Sequence, residues 1–141
     1  MTPQSLDTAG MPANVNPPAL PDPTSNGYST AVVAPTGARL AFVSGQGGFD
    51  AAGALSPDFA GQVARAYENL LAAVAGLGAG PEHVVKLTIL VVVHDMSKMG
   101  VLTEAVIRAF GDRLPAQTLV GIDKLATEAM LFEVGAIVAT S

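Results

Sequence analysis

The fold of this chain is decided by residues 114–139, which read LPAQTLVGIDKLATEAMLFEVGAIVA. They contain two short apolar runs. The first run is Ala116–Ile122 and the second is 130–139, with a polar connector at 123–128 between them. In both runs β-branched residues are frequent, and the lengths suit strands better than helices. The stretch therefore predicts two β-strands.

Alternation along the two strands gives each polar side chain a defined face. Gln117 lies on the same face as Leu119, and Glu133 lies on one face of the second strand. If the strands are neighbours, the amide and the carboxylate point into the same space. An ionised glutamate within so apolar a run is costly to bury without partners. The pair is therefore the first candidate for a functional site.

The composition indicates one domain that assembles with copies of itself. A chain of 141 residues is large enough for a single core, and 50% hydrophobic against 13% charged residues leaves apolar surface that one subunit cannot hide. The net charge of −5, with no basic cluster, argues against nucleic-acid binding. With no cysteine in the sequence, a disulfide framework and a thiolate metal site are excluded.

Neither a secretory signal nor a membrane span is predicted. The N-terminus lacks a basic region followed by an apolar one. The longest apolar run, around Ile89, is far short of the roughly 20 residues that a span needs. We expect a soluble, cytoplasmic protein with no membrane partner.

Residues 1–26 differ in composition from the rest of the chain. They contain six of the ten prolines, and proline fixes φ and removes a backbone donor. An extended arm or a disordered tail is therefore predicted. Residues 27–141 form the predicted domain.

The middle of the chain predicts a hairpin and a strand that is covered on both faces. Residues 28–34 and 39–44 are strand-like and flank a turn at Pro35, so they should pair. Residues 84–93, VVKLTILVVV, are largely apolar on both faces. Helices are the expected cover on one side, and another subunit is the candidate for the other.

Two amphipathic helices are predicted on either side of that strand. Ser56 is the expected N-cap of the first. Asp95 or Ser97 caps the second, which Gly111 ends after Phe110. The resulting order, β-β-α-β-α-β-β, is that of an α+β fold with the helices on one face of the sheet.

Several short motifs follow one another along these elements. In chain order they are Tyr28, Phe42-Val43-Ser44-Gly45-Gln46, Gln62, Asn69-Leu70, Gly78, Val84-Val85-Lys86-Leu87-Thr88, His94-Asp95-Met96, Pro115-Ala116 and Phe132-Glu133-Val134. This ordered set resembles the Rid family of reactive-intermediate deaminases, also called the YjgF family. The resemblance covers residues 27–139, nearly everything but the proline-rich arm.

The resemblance implies a chorismate-mutase-like α+β subunit, with a mixed sheet of about six strands and two helices on one face. It also implies a homotrimer whose sheets face a central barrel and whose clefts lie between subunits. Deaminases of the family hydrolyse 2-imino or enamine acids to 2-keto acids and ammonia. No metal or organic cofactor takes part, so the expected partners are a small-molecule ligand and further copies of the chain.

Four residues of this chain match the family's site. Glu133 matches the glutamate that positions the attacking water. Ser44 and Gly45 match the loop that lines the cleft, and Tyr28 matches the cleft tyrosine. The resemblance thus implies one catalytic residue and three substrate-binding residues.

The sequence departs from the family at Gln117, which with Leu119 completes the expected substrate-binding set. Deaminases of the family have an arginine there, which grips the substrate carboxylate. Glutamine offers a neutral amide, with one donor group and one acceptor, instead of the positively charged, bidentate guanidinium of arginine. Losing the ion pair between a guanidinium and the substrate carboxylate costs about 2–5 kcal/mol of binding free energy. Arg113 and Lys124 lie outside the strand, so neither is an obvious substitute. Gln117 suits a neutral carbonyl or amide group better.

Each candidate also has an ordinary structural explanation. Glu133 is alternatively a carboxylate satisfied by backbone donors at a subunit interface, and Gln117 an interface hydrogen bond. Ser44 fits a strand-end hydroxyl better than a nucleophile, since no histidine is beside it in sequence. His83 and His94 flank a strand without a metal-binding spacing, which disfavours a metal site.

The sequence leaves two main functions open. The first is a hydrolase or deaminase for an imine, enamine or related reactive metabolite that lacks the usual carboxylate, with Glu133 orienting the water. The second is a catalytically silent, trimeric protein that binds small metabolites, with Gln117 as a ligand contact. For a third, chaperone-like role, nothing in the sequence argues directly.

Overall fold

Six β-strands and two α-helices form within residues 10–140, the part of the chain that the computed structural model describes. Their bounds in chain order are β1 Ala13–Val15, β2 Ala31–Val33, β3 Arg39–Gln46, α1 Phe59–Gly76, β4 Val84–Val92, α2 Met99–Phe110, β5 Ala116–Ile122 and β6 Phe132–Thr140. From β2 onward this is the predicted order, and the α+β class is confirmed. β1 falls within the predicted arm, whose first nine residues lie outside the described range. The domain boundary after residue 26 stays a prediction.

The main sheet has four strands in the order β3-β6-β4-β5. β6 is antiparallel to both of its neighbours, whereas β4 and β5 are parallel. Two parallel strands need a crossover connection, and α2 provides it. β4 therefore lies between β5 and β6, although those two strands are consecutive along the chain.

The predicted hairpin between β2 and β3 does not form, and the six strands divide into two sheets. β2 pairs with β1 in a separate two-stranded ribbon. The turn at Pro35 exists, because the Ala38 amide donates to the Pro35 carbonyl at 3.1 Å. However, the buried Ser29 donates from its amide to the Pro115 carbonyl at 3.0 Å and from its hydroxyl to the Leu114 carbonyl at 2.6 Å. These bonds hold β2 near β5, at the edge of the sheet opposite to β3.

The hydrophobic core lies between the two helices and one face of the main sheet. On β4, Leu87, Ile89 and Val91 are fully buried. The helix residues packed in this core are Val63, Ala66, Tyr67, Leu70 and Val74 of α1 and Leu102, Val106 and Phe110 of α2. Each large side chain buried in this way stabilises the fold by about 1.5–3 kcal/mol. The prediction that helices cover one face of the central strand is confirmed.

The helix termini confirm one predicted cap and correct another. Asp58, not Ser56, is the N-cap of α1, because its carboxylate accepts from the Gly61 amide at 2.9 Å. Ser56 supports this cap by accepting from the Asp58 amide at 3.2 Å. Asp95 caps the 3₁₀ turn that leads into α2, and Gly111 ends that helix with a φ of 60°.

The second face of the main sheet carries no helix within the described residues. Leu40 and Phe42 of β3 are 53% and 73% exposed. A contiguous apolar face of this kind commonly marks an interaction surface. No helix within residues 10–140 is long and apolar enough to cross a membrane.

Candidate functional site

A cavity of about 280 Å³ opens on this second face of the main sheet. Strands β3, β4 and β6 form it, and its lining includes Gly45, Lys86, Thr88, Leu90 and Glu133. Among the described residues that line it, Glu133 is the only acid and Lys86 the only base. The cavity therefore joins one negative and one positive side chain on a largely apolar surface.

Glu133 lies directly against Gly45 in this cavity. A Cβ atom added to Gly45 would overlap the Glu133 carboxylate, so glycine leaves the space that the carboxylate occupies. Glu133 is half-buried, yet among the described residues its carboxylate accepts no hydrogen bond and forms no ion pair. Polar groups withdrawn from water are normally paired. The carboxylate is thus available to a ligand or a water molecule.

A β-bulge in β3 explains the close approach of Gly45. Val43 pairs with Ala136 and Gln46 pairs with Val134, so a step of three residues on β3 faces a step of two on β6. The extra residue interrupts the ladder and bends the strand. Such bulges are common next to active sites, where they redirect a side chain or the backbone.

The buried side chain of Gln62 fixes the chain just before Glu133. Its amide nitrogen donates to the carbonyls of Ser56 at 2.8 Å and Ala129 at 2.9 Å, and its oxygen accepts from the Leu131 amide at 2.8 Å. Gln62 is 1% exposed, and these bonds satisfy both of its amide hydrogens. α1 thereby fixes the position of Leu131, two residues before the carboxylate.

Asn69, two turns further along α1, holds the loop that follows Gly45. Its side-chain amide donates to the carbonyls of Gly47 at 2.9 Å and Phe49 at 2.8 Å. Between these two residues, Gly48 packs so tightly that a Cβ there would stand 2.9 Å from a backbone carbon of α1. Both sides of the cavity are therefore anchored to the same helix.

Gln117 does not face Glu133 within one subunit, which corrects the expectation from the sequence. Gln117 is in register with Leu87 across the β4–β5 pair, and Glu133 with Leu90 across the β4–β6 pair. Leu87 points to the helices and Leu90 to the cavity, so the two polar side chains lie on opposite faces of the sheet. Oε1 of Gln117 is buried and has no hydrogen-bond partner among the described residues.

A family model that covers most of the chain settles its relationships. The model described as endoribonuclease L-PSP matches residues 20–140. The chain belongs to this family, the Rid or YjgF family. Members of the family bind small molecules and are typically oligomeric. Among curated proteins, none matches the chain significantly.

Solved structures of other Rid-family proteins share the fold. YyfB from Yersinia pestis, a Rid protein of unknown function, has a TM-score of 0.86 and 26% identity, over 91% of this chain and 98% of its own. RidA from the Antarctic bacterium Psychrobacter has a TM-score of 0.66 and 26% identity, over 97% and 99%. A YjgF/YER057c/UK114-family protein from Mycobacterium tuberculosis has a TM-score of 0.63 and 26% identity, over 92% and 99%.

The other predicted cleft residues of this Rid-family chain lie outside the cavity. Ser44 is exposed and does not line it. Leu119 packs against the core, on the helix side of the sheet. Tyr28 is half-buried and precedes the serine that is bonded to the segment before β5. One subunit thus brings together Glu133 and Gly45, but not these three residues.

Lys86 and Thr88 are cavity residues to which the sequence analysis gave no role. The Lys86 ammonium donates to the Thr118 hydroxyl at 2.7 Å on the neighbouring strand β5. Alternation outward from the buried side chains of β4 already assigns Lys86 and Thr88 to the face away from the helices. Only the strand order shows that Glu133 shares that face. Arg113, in contrast, is directed to the Pro12 carbonyl at 3.4 Å.

Neither histidine lines the cavity beside Glu133, and the buried Nδ1 of His94 has no hydrogen-bond partner among the described residues. His83 Nδ1 accepts from the Gly80 amide at 3.0 Å. His94 packs over Gly121, where a Cβ would stand 3.0 Å from that of the histidine. Within residues 10–140, no group of three or more His, Cys, Asp or Glu side chains could hold a metal ion. The expectation of a cofactor-free protein stays a prediction.

A second cavity, of about 300 Å³, lies between α1 and α2. Tyr67 contributes to its lining, and burial raises the pKa of the Tyr67 hydroxyl. The acidic and basic residues around it include Glu104 and Arg108, which form an ion pair with each other. None of the predicted site residues is in this cavity, so the sheet-face cavity is the better candidate for the functional site.

Proposed function

We propose that this Rid-family protein hydrolyses the C=N bond of an imine, or of its enamine tautomer, in a small metabolite. Glu133 orients the attacking water and accepts one of its protons. The observation that carries the proposal is the unpaired Glu133 carboxylate, held against Gly45 in a cavity that is open to a ligand. The protein acts in the cytoplasm, and its net charge of −5 speaks against RNA as the substrate.

The reaction needs one group that moves protons between water and nitrogen. Water adds to the imine carbon while Glu133 takes a proton from it, and the π electrons of the C=N bond move to nitrogen. Glu133 passes this proton to that nitrogen, which gives a neutral carbinolamine. Glu133 then takes the hydroxyl proton as the C=O bond forms and the C–N bond breaks, and this second proton passes to the departing nitrogen, which leaves as ammonia.

A neighbouring subunit completes the proposed site. The exposed apolar face around Leu40 and Phe42 supports burial in a homotrimer, as the family resemblance implies. Gln117 and Tyr28 belong to the β5 side of the subunit, far from its own Glu133. In a closed ring of three subunits they reach the cavity of the adjacent copy, and the cleft lies between subunits.

Because of Gln117, the protein prefers substrates in which the group next to the imine is uncharged. Its buried Oε1 lacks a partner among the described residues, and such an atom costs about 1–3 kcal/mol when it stays unpaired. A ligand amide or hydroxyl that donates to this oxygen would remove that cost. A substrate carboxylate at the same place would find no positively charged guanidinium to bind it.

Hydrolysis of freshly generated imines tests the proposal. We would compare a 2-imino acid, produced by an amino-acid oxidase, with a neutral imine, produced by an amine oxidase, in wild type and Gln117→Arg. Wild type should release ammonia faster from the neutral imine, and Gln117→Arg should shift the preference toward the imino acid by about 30-fold or more. Gln117→Leu, which matches the size but neither donates nor accepts, is the control. No release from either imine by wild type would contradict the proposal.

A catalytically silent, metabolite-binding trimer is the second candidate. The observation that favours it is the neutral Gln117 at the place where deaminases of the family have an arginine. In that case Glu133→Gln would leave ligand affinity nearly unchanged, and wild type would release no ammonia from any imine. Retained binding together with missing hydrolysis therefore separates the two functions.

A further inference from the structure

We propose that Lys86 and Thr118 form an anion subsite at one end of the cavity, and that the natural ligand carries a carboxylate remote from its imine. The assignment of the reacting end to Glu133 rests on the proposed function. The subsite itself depends only on Lys86 and its surroundings. The ligand is thus an elongated molecule with a neutral or cationic nitrogen at one end and an anion at the other.

Lys86 has donors to spare. Its ammonium carries three hydrogens, and one of them is bonded to the Thr118 hydroxyl at 2.7 Å. Among the described residues no carboxylate lies within ion-pair distance of Lys86. Among the described residues that line the cavity, Lys86 is the only one with a basic side chain. Lys86 is therefore the cation that a ligand anion in this cavity would meet.

The register fixes the separation of the two backbone positions that carry the charges. Lys86 pairs with Ile137, which is four residues beyond Glu133 on β6. At about 3.3 Å per residue, their positions are roughly 13 Å apart along the sheet. Thr88 pairs with Gly135 between them. Because glycine has no side chain, the middle of the cavity floor leaves room for a ligand. A chain of several carbon atoms fits this distance, whereas a 2-imino acid, with its carboxylate next to the imine, is too short.

The lack of a cation near the reacting end agrees with this arrangement. Gln117 offers no positive charge for a carboxylate beside the imine carbon, and Lys86 offers one at the far end. The single positive charge of Lys86 balances the single negative charge of a carboxylate, whereas a phosphate group carries about −1.5 to −2 at neutral pH and would leave excess negative charge in a cavity that also contains Glu133. We therefore assign a carboxylate rather than a phosphate to this end.

Binding of a matched pair of ketone probes tests the subsite. The probes are 7-oxooctanoate, a product-like ketone with a remote carboxylate, and the neutral 7-oxooctanamide, and the measurement is the Kd by isothermal titration. Wild type should bind the acid about two- to fivefold more tightly than the amide, which is the range of a partly exposed charge pair. Raising the ionic strength should reduce this ratio.

Substitution of Lys86 should remove the preference for the acid. In Lys86→Met the two probes should bind equally, and in Lys86→Arg the preference should persist. Lys124→Met, which removes an exposed lysine of the β5–β6 connector, is the matched control and should leave the ratio unchanged. Equal affinities in wild type, or a preference that survives Lys86→Met, would overturn the subsite.

Two further probes distinguish the possible outcomes. 2-Oxobutanoate, whose carboxylate adjoins the ketone, should show no dependence on Lys86. A phosphonate of the same length that binds more tightly than 7-oxooctanoate would overturn the assignment of a carboxylate. A Lys86-dependent ratio in a protein that hydrolyses no imine would refute the proposed function and leave the subsite standing.

Discussion

At the scale of single residues, the contact between Glu133 and Gly45 determines what the cavity is able to do. The carboxylate occupies the space that a side chain at position 45 would fill. It is half-buried and unpaired among the described residues, so its position depends on shape rather than on hydrogen bonds. A change of one methyl group at Gly45 is therefore enough to displace the proposed base.

Replacing Gly45 by alanine should reduce imine hydrolysis by at least tenfold, because a misplaced base no longer reaches the water. The free energy of unfolding should fall by about 1–2 kcal/mol because the new methyl group overpacks the site. Gly100→Ala is the control, since nothing stands within 4 Å of a Cβ there. Steady-state kinetics and urea unfolding measure both effects, and full activity in Gly45→Ala would show that Glu133 needs no such space.

At the scale of secondary-structure elements, α1 anchors the chain on both sides of the cavity through Gln62 and Asn69. Sequence periodicity identified α1, α2 and the buried face of β4, because an amphipathic pattern depends only on neighbouring residues. It did not show that β4 separates β5 from β6, because the pairing of distant strands leaves no local pattern. For the same reason the sequence placed Gln117 and Glu133 in one space, although the register puts them on opposite faces.

Gln62→Leu should destabilise the protein by about 2–4 kcal/mol, because the Leu131 amide and two carbonyls lose their partner in the interior. Activity should fall as well, since the chain before Glu133 loses its anchor. Gln46→Leu, which removes one local bond to the Ser44 carbonyl, is the control and should cost less than 1 kcal/mol. Equal unfolding midpoints of the two variants in urea would contradict this role of α1.

The cap that precedes α2 should respond to acid. Hydrogen bonds from the Ser97 hydroxyl and amide hold the pKa of Asp95 below its ordinary value. A carboxylate with a lowered pKa in the folded state contributes stability above its unfolded pKa, and this contribution is lost as the pH falls through the folded pKa. Ser97→Ala should raise the pKa of Asp95 toward the ordinary value, as measured by NMR titration. An unchanged pKa would show that the hydroxyl contributes nothing.

At the scale of the whole molecule, the sequence predicted the family and the α+β class but not the division of the strands into two sheets. The ordered motifs were enough to identify the family, because they extend over most of the chain. The β1–β2 ribbon depends on bonds between Ser29 and the segment before β5, which lie far apart in sequence. Val93 adopts a left-handed φ of 47°. The sequence could not predict this conformation, because β-branched residues rarely adopt a positive φ.

The exposed face of the main sheet should be the surface that holds a trimer together. Leu40→Lys places a charge in that apolar contact without changing a residue that lines the cavity. We expect it to dissociate the assembly and to abolish hydrolysis, because the intersubunit cleft is lost. Met96→Lys is the control, since Met96 is 77% exposed in the loop before α2 and is not on the sheet. Sedimentation velocity gives the oligomeric state, and a wild-type monomer would contradict the proposed cleft.

The most direct measurement is the rate at which Glu133→Gln releases ammonia from the best imine substrate of the wild type, under single-turnover conditions. Glutamine keeps the size of the side chain but does not accept a proton from water. We expect the rate to fall by about 10²–10⁴-fold, the usual contribution of a general base, while the affinity for a ketone product stays within a few-fold. A Glu133→Gln variant that releases ammonia as fast as the wild type would contradict the central claim that this carboxylate activates the water.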